Sequence, residues 1–324
     1  MANGDELRKR GQEMAKQKYN ISKEFFPLSI FTPKMTAAGI KRLNRLYRVP
    51  RSIYKDGDVV IRTVKIPAYK GGEIGMMLIT PVGVERPAPC FINTHGGGFV
   101  YEATSGHYRH ALNYAKGAGC VVAMPRYRLG PDYPFPYPQE DCYAALVWVH
   151  DHADELGIDP ARIGIGGDSA GGTLAATSCI LARDRQSGIK PLFQLLIYPF
   201  LDNRSNRESF RRFTDTPVWN STLSKQVGPF INPNPESVPL ELKSPAEADL
   251  KGMPPAYIEV AEFDALRDDG VLYDKLLREE GIETEFHDTH GTMHGFDYMM
   301  KAPTSQKMEA LRIEYMKRMF GSGR

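Results

Sequence analysis

No uninterrupted apolar run approaches the roughly 18 residues that a membrane-spanning helix needs, so no membrane span is expected. The first twenty residues, MANGDELRKRGQEMAKQKYN, are charged throughout and lack the apolar core of a secretion signal. A cytoplasmic location is therefore expected. Cysteine is scarce: Cys90, Cys120, Cys142 and Cys179 each sit inside an apolar segment, without a CxxC pair or Cys/His metal spacing. They read as buried free thiols of a reducing compartment, and no metal site is expected. Internal repeats and low-complexity segments are also missing. Net charge is small, +2 over 324 residues, but it is unevenly spread. Residues 1–51 hold 12 Lys/Arg against 4 Asp/Glu, a net of +8, which leaves −6 for the rest. A basic arm suits an anionic surface or a nucleic acid, but it suits equally an amphipathic helix packed on an acidic body. The second reading is adopted here, with no nucleic-acid partner expected.

What is present is an ordinary globular composition, 42% hydrophobic and 25% charged, in one chain long enough for a large core. Residues 5–19 and 34–48 carry helix signals, punctuated by Pro27, Pro33 and Pro50. From residue 58 the pattern changes. VVIRTVKIPAY and EIGMMLIT alternate in polarity around Lys70-Gly71-Gly72, as in an antiparallel hairpin. Apolar strand runs then alternate with helix signals: APCFINT, CVVAMPRY, ARIGIGG, LFQLLIYPF, PAYIEVAEF and IETEFHD are the strands. A polar stretch from about 202 to 250 interrupts the rhythm. Such alternation predicts an α/β fold with a mostly parallel central sheet and helices on both faces.

Chemistry enters at residues 165–172, IGGDSAGG. Gly167-Asp168-Ser169-Ala170-Gly171 fits G-x-S-x-G between a strand and a helix, the context of a nucleophile elbow. A sharp strand-to-helix turn would hold Ser169 in a strained conformation, with only hydrogens at 167 and 171 to let backbone pass. The plainer alternative is a serine capping a helix after a glycine-rich turn. His95-Gly96-Gly97-Gly98 follows the APCFINT strand directly. Backbone N–H groups of such a loop, with that of Ala170, could cradle the oxyanion of a tetrahedral intermediate. The remaining partners should follow in the order acid then histidine. Asp264 ends the strand PAYIEVAEF, where open α/β sheets place their sites. Asp268 and Asp269 compete, but they fall in the first turn of the next helix and suit its N-terminal charge. His287 is held in the last strand and faces away, and His290 lies close to the strand end. His294, between a turn and Gly295, is the expected base, with activity falling at acid pH as it protonates.

Together these residues resemble the hormone-sensitive-lipase-like family of bacterial carboxylesterases. HGGGF at 95–99, GDSAGG at 167–172, DALRDDG at 264–270 and MHGF at 293–296 match its motifs in order. RYRLGPDYPFP at 126–136 and IYPFLD at 197–202 resemble two further segments, so the likeness runs from about residue 58 onwards. The resemblance implies an α/β-hydrolase fold, with Ser169 the nucleophile, His294 the base then acid, and Asp264 its orienter. It also implies Gly97, Gly98 and Ala170 as oxyanion donors, and no cofactor. It further implies a helical cap, for which residues 1–55 and an insertion at about 203–235 are the candidate pieces, over a catalytic domain of 56–324. Phe, Tyr and Met residues of 25–35 and 210–231 would line that cap. Departures are Ala265 for the family's proline, Asp269 for its glutamate, Gly130 and Asp132 in the upstream segment, and His290 for a common tyrosine, which would alter pocket polarity. The expected reaction is hydrolysis of small, short-acyl esters. Two other readings stand beside it. One is a non-catalytic ligand receptor on the same fold, like the plant gibberellin receptors, which lose the triad histidine. The other is an amidase or peptidase. The oligomeric state, monomer or homodimer, is left open.

Overall fold

The computed structural model describes residues 18–28, 32–33, 35–47, 49–204 and 206–322. The helix expected over 5–19 lies almost wholly outside these residues. The second expected helix is α1 (Ala37–Leu46), begun by the Thr36 side chain, which accepts the Gly39 N–H at 3.0 Å.

Eight strands form one sheet: β1 (Val59–Pro67), β2 (Glu73–Pro81), β3 (Ala88–Thr94), β4 (Val121–Pro125), β5 (Ile158–Asp168), β6 (Gln194–Ile197), β7 (Ala256–Phe263) and β8 (Thr284–Met293). Their order is β1-β2-β4-β3-β5-β6-β7-β8. The hairpin is antiparallel with Val59 opposite Pro81 and Pro67 opposite Glu73, and β2 also runs antiparallel to β4. Every later pairing is parallel. Between the strands run α2 (Ser105–Ala118), α3 (Tyr137–Asp151), α4 (Ala170–Asp184), α5 (Glu208–Arg212), α6 (Ser221–Ile231) and α7 (Arg267–Glu279), and α8 (Pro303–Ser322) follows β8.

The parallel strands read as continuous apolar runs because both faces are covered. One face packs Ile92, Ile165 and Ile258 against Leu146 of α3, Ala176 of α4 and Leu277 of α7. The other packs Phe91, Leu195 and Tyr257 against Tyr114 of α2 and Met316 of α8. All four cysteines are buried and unpaired. The stretch 202–250 is not a plain loop but a set of short helices, α5 and α6 among them.

Two strand ends differ from the sequence expectation. β6 stops at Ile197 rather than near 200, because Tyr198 turns to φ +33° and donates its N–H to Glu259 O at 2.6 Å. β8 runs five residues past Asp288, to Met293. A register shift between Ala261 and Phe263 accommodates the extension, and the Gly291 N–H donates to Glu262 Oε2 at 2.7 Å.

Candidate active site

The turn from β5 into α4 places Ser169 at φ +54°, ψ −119°, a conformation that costs a side-chain-bearing residue about 1–3 kcal/mol. Surrounding bonds hold it there: Ser169 N–H donates to Ile197 O at 2.8 Å, and its own carbonyl accepts from Gly172 at 3.0 Å and Phe200 at 3.2 Å. The close approach read from the glycines is present. A Cβ on either Gly167 or Gly171 would collide with the carbonyl of Thr94 at the end of β3.

The parallel sheet brings the other groups to the same edge. Asp264 follows β7 directly and is fully buried. His294 follows β8. Its Nδ1 lies 2.7 Å from Asp264 Oδ2, and its Nε2 lies 2.9 Å from Ser169 Oγ. The second oxygen of Asp264, Oδ1, accepts the Leu266 N–H at 2.9 Å, which fixes the carboxylate's rotation. His294 thus bridges a buried acid and a serine hydroxyl, each through one ring nitrogen.

Beside them, Gly97 and Gly98 take φ +115° and +59°, values that glycine tolerates and other residues resist. Gly97 and Gly98 line one hollow with Ser169, and Gly98 lines a second, smaller one with Ser169 and Ala170, the first residue of α4. Gly96 N–H is already committed, donating to Asp168 Oδ1 at 3.0 Å.

Asp168 itself gathers three elements. Besides Gly96, its Oδ2 faces His107 Nε2 at 3.3 Å and accepts from the Tyr298 hydroxyl at 3.2 Å, while Tyr298 Oη and His107 Nε2 lie 2.8 Å apart. Burial works against its ionisation, yet His107, the Gly96 N–H and nearby His95 hold its carboxyl below the usual carboxylate range. The site opens into a chamber of about 290 Å³, walled by Tyr47, Tyr101, Val218, Trp219, Tyr298 and Met300 among others. Among the described residues no cluster of three or more His, Cys, Asp or Glu is disposed to hold a metal, and no helix is long and apolar enough to cross a membrane.

A family model described as alpha/beta hydrolase fold matches residues 91–298. The carboxylesterase NlhH of Mycobacterium tuberculosis is 32% identical over 300 residues, covering 90% of this chain and 92% of the relative. The esterase LipI of the same organism is 35% identical over 286 residues, covering 84% and 87%. Among solved structures, a bacterial heroin esterase superposes with a TM-score of 0.84 at 32% identity, covering 93% of this chain and 98% of the other. The chain belongs to the hormone-sensitive-lipase-like esterases of the α/β-hydrolase fold. It is a carboxylic-ester hydrolase.

Within the esterase, the structure brings Ser169, Asp264 and His294 together through the two ring nitrogens of His294. His290 does not join them: its side chain is 80% exposed, 3.7 Å from Glu262, in a separate polar hollow with Arg267 and Asp288. It therefore leaves the polarity of the main chamber untouched. His287 stays in β8, 2.8 Å from Glu285. Asp268 and Asp269 do occupy the first turn of α7, but they also act as pins. Asp268 accepts the Ser209 N–H at 2.8 Å, and buried Asp269 accepts those of Leu201 and Asp202, each at 3.2 Å.

The cap lining needs correction. Phe25 is fully buried against Phe296, and Phe210 and Phe213 pack with Tyr19 and Phe263, so none of these rings lines the chamber. Phe31 lies outside the described residues. The chamber's aromatics come instead from Tyr47, Tyr101, Trp219 and Tyr298. Sequence reasoning did not find the Asp168, His107 and Tyr298 group. Asp168 was inside the recognised motif, but nothing local marks His107 or Tyr298 as its partners.

Proposed function

We propose that the esterase hydrolyses small, short-acyl carboxylic esters through a covalent acyl-enzyme on Ser169. The observation that carries this reading is the position of His294, within hydrogen-bond reach of both Ser169 Oγ and Asp264 Oδ2. Ser169 Oγ attacks the ester carbonyl while its proton passes to His294 Nε2. Asp264 orients the ring and stabilises the imidazolium that forms. The carbonyl oxygen becomes an oxyanion facing the N–H groups of Gly97, Gly98 and Ala170. His294 then returns the proton to the leaving alkoxide, and the C–O bond breaks. A water activated by His294 attacks the acyl-enzyme, releasing the acid and restoring the serine. The segment 1–55 and the insertion at about 203–235 serve as the cap over this site. The presence of His294 disfavours the receptor reading, since that role needs no base aligned on a serine.

Four single substitutions assayed on one short-chain ester test the assignment. Ser169→Ala should lower kcat by roughly 10⁶-fold with the fold intact, and His294→Ala by at least about 10⁴-fold. His287→Ala and exposed His290→Ala should each lose no more than about tenfold, since neither touches the reacting atoms. Residual activity of a tenth or more in Ser169→Ala, or a reversal of His290 and His294, would require a different site.

A further inference from the structure

Ser169 opens onto two chambers. The outer one, of about 290 Å³, is lined by His294 and by Tyr47, Tyr101 and Tyr298. The inner one, of about 40 Å³, is lined by Phe99, Ala170, Phe200, Val227, Ile231 and Leu266 among others, and His294 takes no part in it. Gly98, Ser169 and Trp219 line both. Gly98 has no side chain and Ser169 is the nucleophile, so the indole of Trp219 is the wall between the two.

That wall is held firmly. The Trp219 indole N–H donates to Ser224 Oγ at 2.8 Å, and its carbonyl accepts from Thr216 Oγ1 at 2.9 Å. The far edge of the ring abuts Gly98, where an added Cβ would lie 2.5 Å from Cη2. The preceding residue, Val218, sits at φ +65°, a left-handed conformation that a β-branched residue rarely adopts. Backbone strain of this kind persists only where the surroundings over-determine it, and it concentrates at ligand-contacting sites.

Proton transfer assigns the chambers. The leaving alkoxide must take its proton from His294 Nε2, so the alcohol half lies on the side that His294 lines, the outer chamber. The acyl tail is left with the inner chamber, beside Ala170. One water-sized group needs about 10–15 Å³ by this measure of volume, so the inner chamber admits roughly three such groups beyond the carbonyl. Resting on the Ser169–His294 reading above, we infer that Trp219 is the specificity-determining partition. It confines the acyl group to acetyl, propionyl or butyryl and leaves the outer chamber for a bulky, aryl-sized alcohol.

The test is an acyl series, acetyl, butyryl, hexanoyl and octanoyl, on one naphthyl alcohol, with kcat/KM measured for wild type, Trp219→Ala, Trp219→Phe, Ser224→Ala and Ser169→Ala. Wild type should fall at least about tenfold between butyryl and octanoyl, since each misplaced methylene in a closed apolar pocket is worth about tenfold or more. Trp219→Ala should raise the octanoyl-to-acetyl ratio by about tenfold or more, and Trp219→Phe should stay within about threefold of wild type. Ser224→Ala frees the indole while removing only one hydroxyl from the inner chamber's lining and should raise the same ratio by about threefold, which carries the test if Trp219→Ala does not fold. An unchanged ratio in Trp219→Ala, or in Ser224→Ala where that variant decides, overturns the partition while a dead Ser169→Ala leaves the catalytic reading standing. An active Ser169→Ala overturns both.

Discussion

At the scale of single residues, His95 shows how burial turns a motif position into a pH liability. Its ring stacks on Tyr127 with centroids 4.4 Å apart, and its Nδ1 lies 2.7 Å from the Gly96 carbonyl, which keeps the start of the oxyanion loop in place. Burial first, and then neighbouring His107, push its pKa down to about 4. In the unfolded chain the same group titrates near its ordinary value of about 6.5, so between these two pH values the unfolded state binds more protons. The contribution to stability is full above pH of about 6.5 and is lost as pH falls toward about 4, by up to about 3 kcal/mol. His95→Gln should flatten the fall in urea midpoint across this window. An identical slope in the variant would place the acid sensitivity elsewhere. The three residues proposed to carry the chemistry were legible because each has a local sequence context: Ser169 in GDSAGG, Asp264 at a strand end, His294 before Gly295. His107 and Tyr298 were not, because their meaning lies in a three-way contact with Asp168 across 61 and 130 residues of chain.

At the scale of elements, the turn after His294 is pinned at three successive residues. Phe296 is fully buried, with its ring centroid 5.5 Å from that of Phe25. Asp297 accepts from the Tyr198 hydroxyl and, at 2.6 Å, from Arg312 of α8, whose side chain is wholly buried and also pairs with Glu259 of β7. Tyr298 reaches Asp168 beside the nucleophile. The turn that follows His294, the proposed base, is therefore tied to α8, β7 and the β5–α4 turn at once. Asp297→Ala strands part of the Arg312 charge and should lower stability by about 3 kcal/mol. Loosening the turn should also lower kcat by about 10²-fold with KM nearly unchanged, because a misplacement near 1 Å suffices for that loss. Loss of stability with full kcat would mean that Phe296 and Tyr298 hold the base without Asp297. Outside the stretch 202–250, element order and type were readable from apolar periodicity. The ends of β6 and β8 were not, because a left-handed Tyr198 and a register shift opposite β7 decide them, and neither leaves a pattern in the sequence.

At the scale of the whole molecule, the segment before the sheet is fastened to the insertion, to β8 and to the loop beside HGGG. Lys18 and Tyr19 each bond Asp215 of the insertion at 2.6 Å, Ser22 N–H donates to Gly291 O of β8 at 2.8 Å, and Asn44 bonds Val100 O at 2.7 Å and Glu102 N–H at 3.1 Å beside the glycine loop. The resemblance implies two candidate cap pieces, but nothing in the sequence shows that one bonds to the other, since the contacts join residues nearly 200 apart. Deleting residues 1–50 should preserve the far-ultraviolet signature of the sheet and helices while lowering kcat/KM by more than about tenfold and shifting acyl preference. Unchanged kinetics in a truncated, folded protein would make the segment a tail. The central claim, an acyl-enzyme on Ser169, is open to one direct measurement. The esterase is mixed with excess acetyl ester, quenched in acid within a single turnover, digested and analysed by mass spectrometry. The account predicts that any trapped acetyl group lies on the peptide holding Ser169, and that none is found in Ser169→Ala. An acetyl group on any other residue, or one still found in Ser169→Ala, would contradict it.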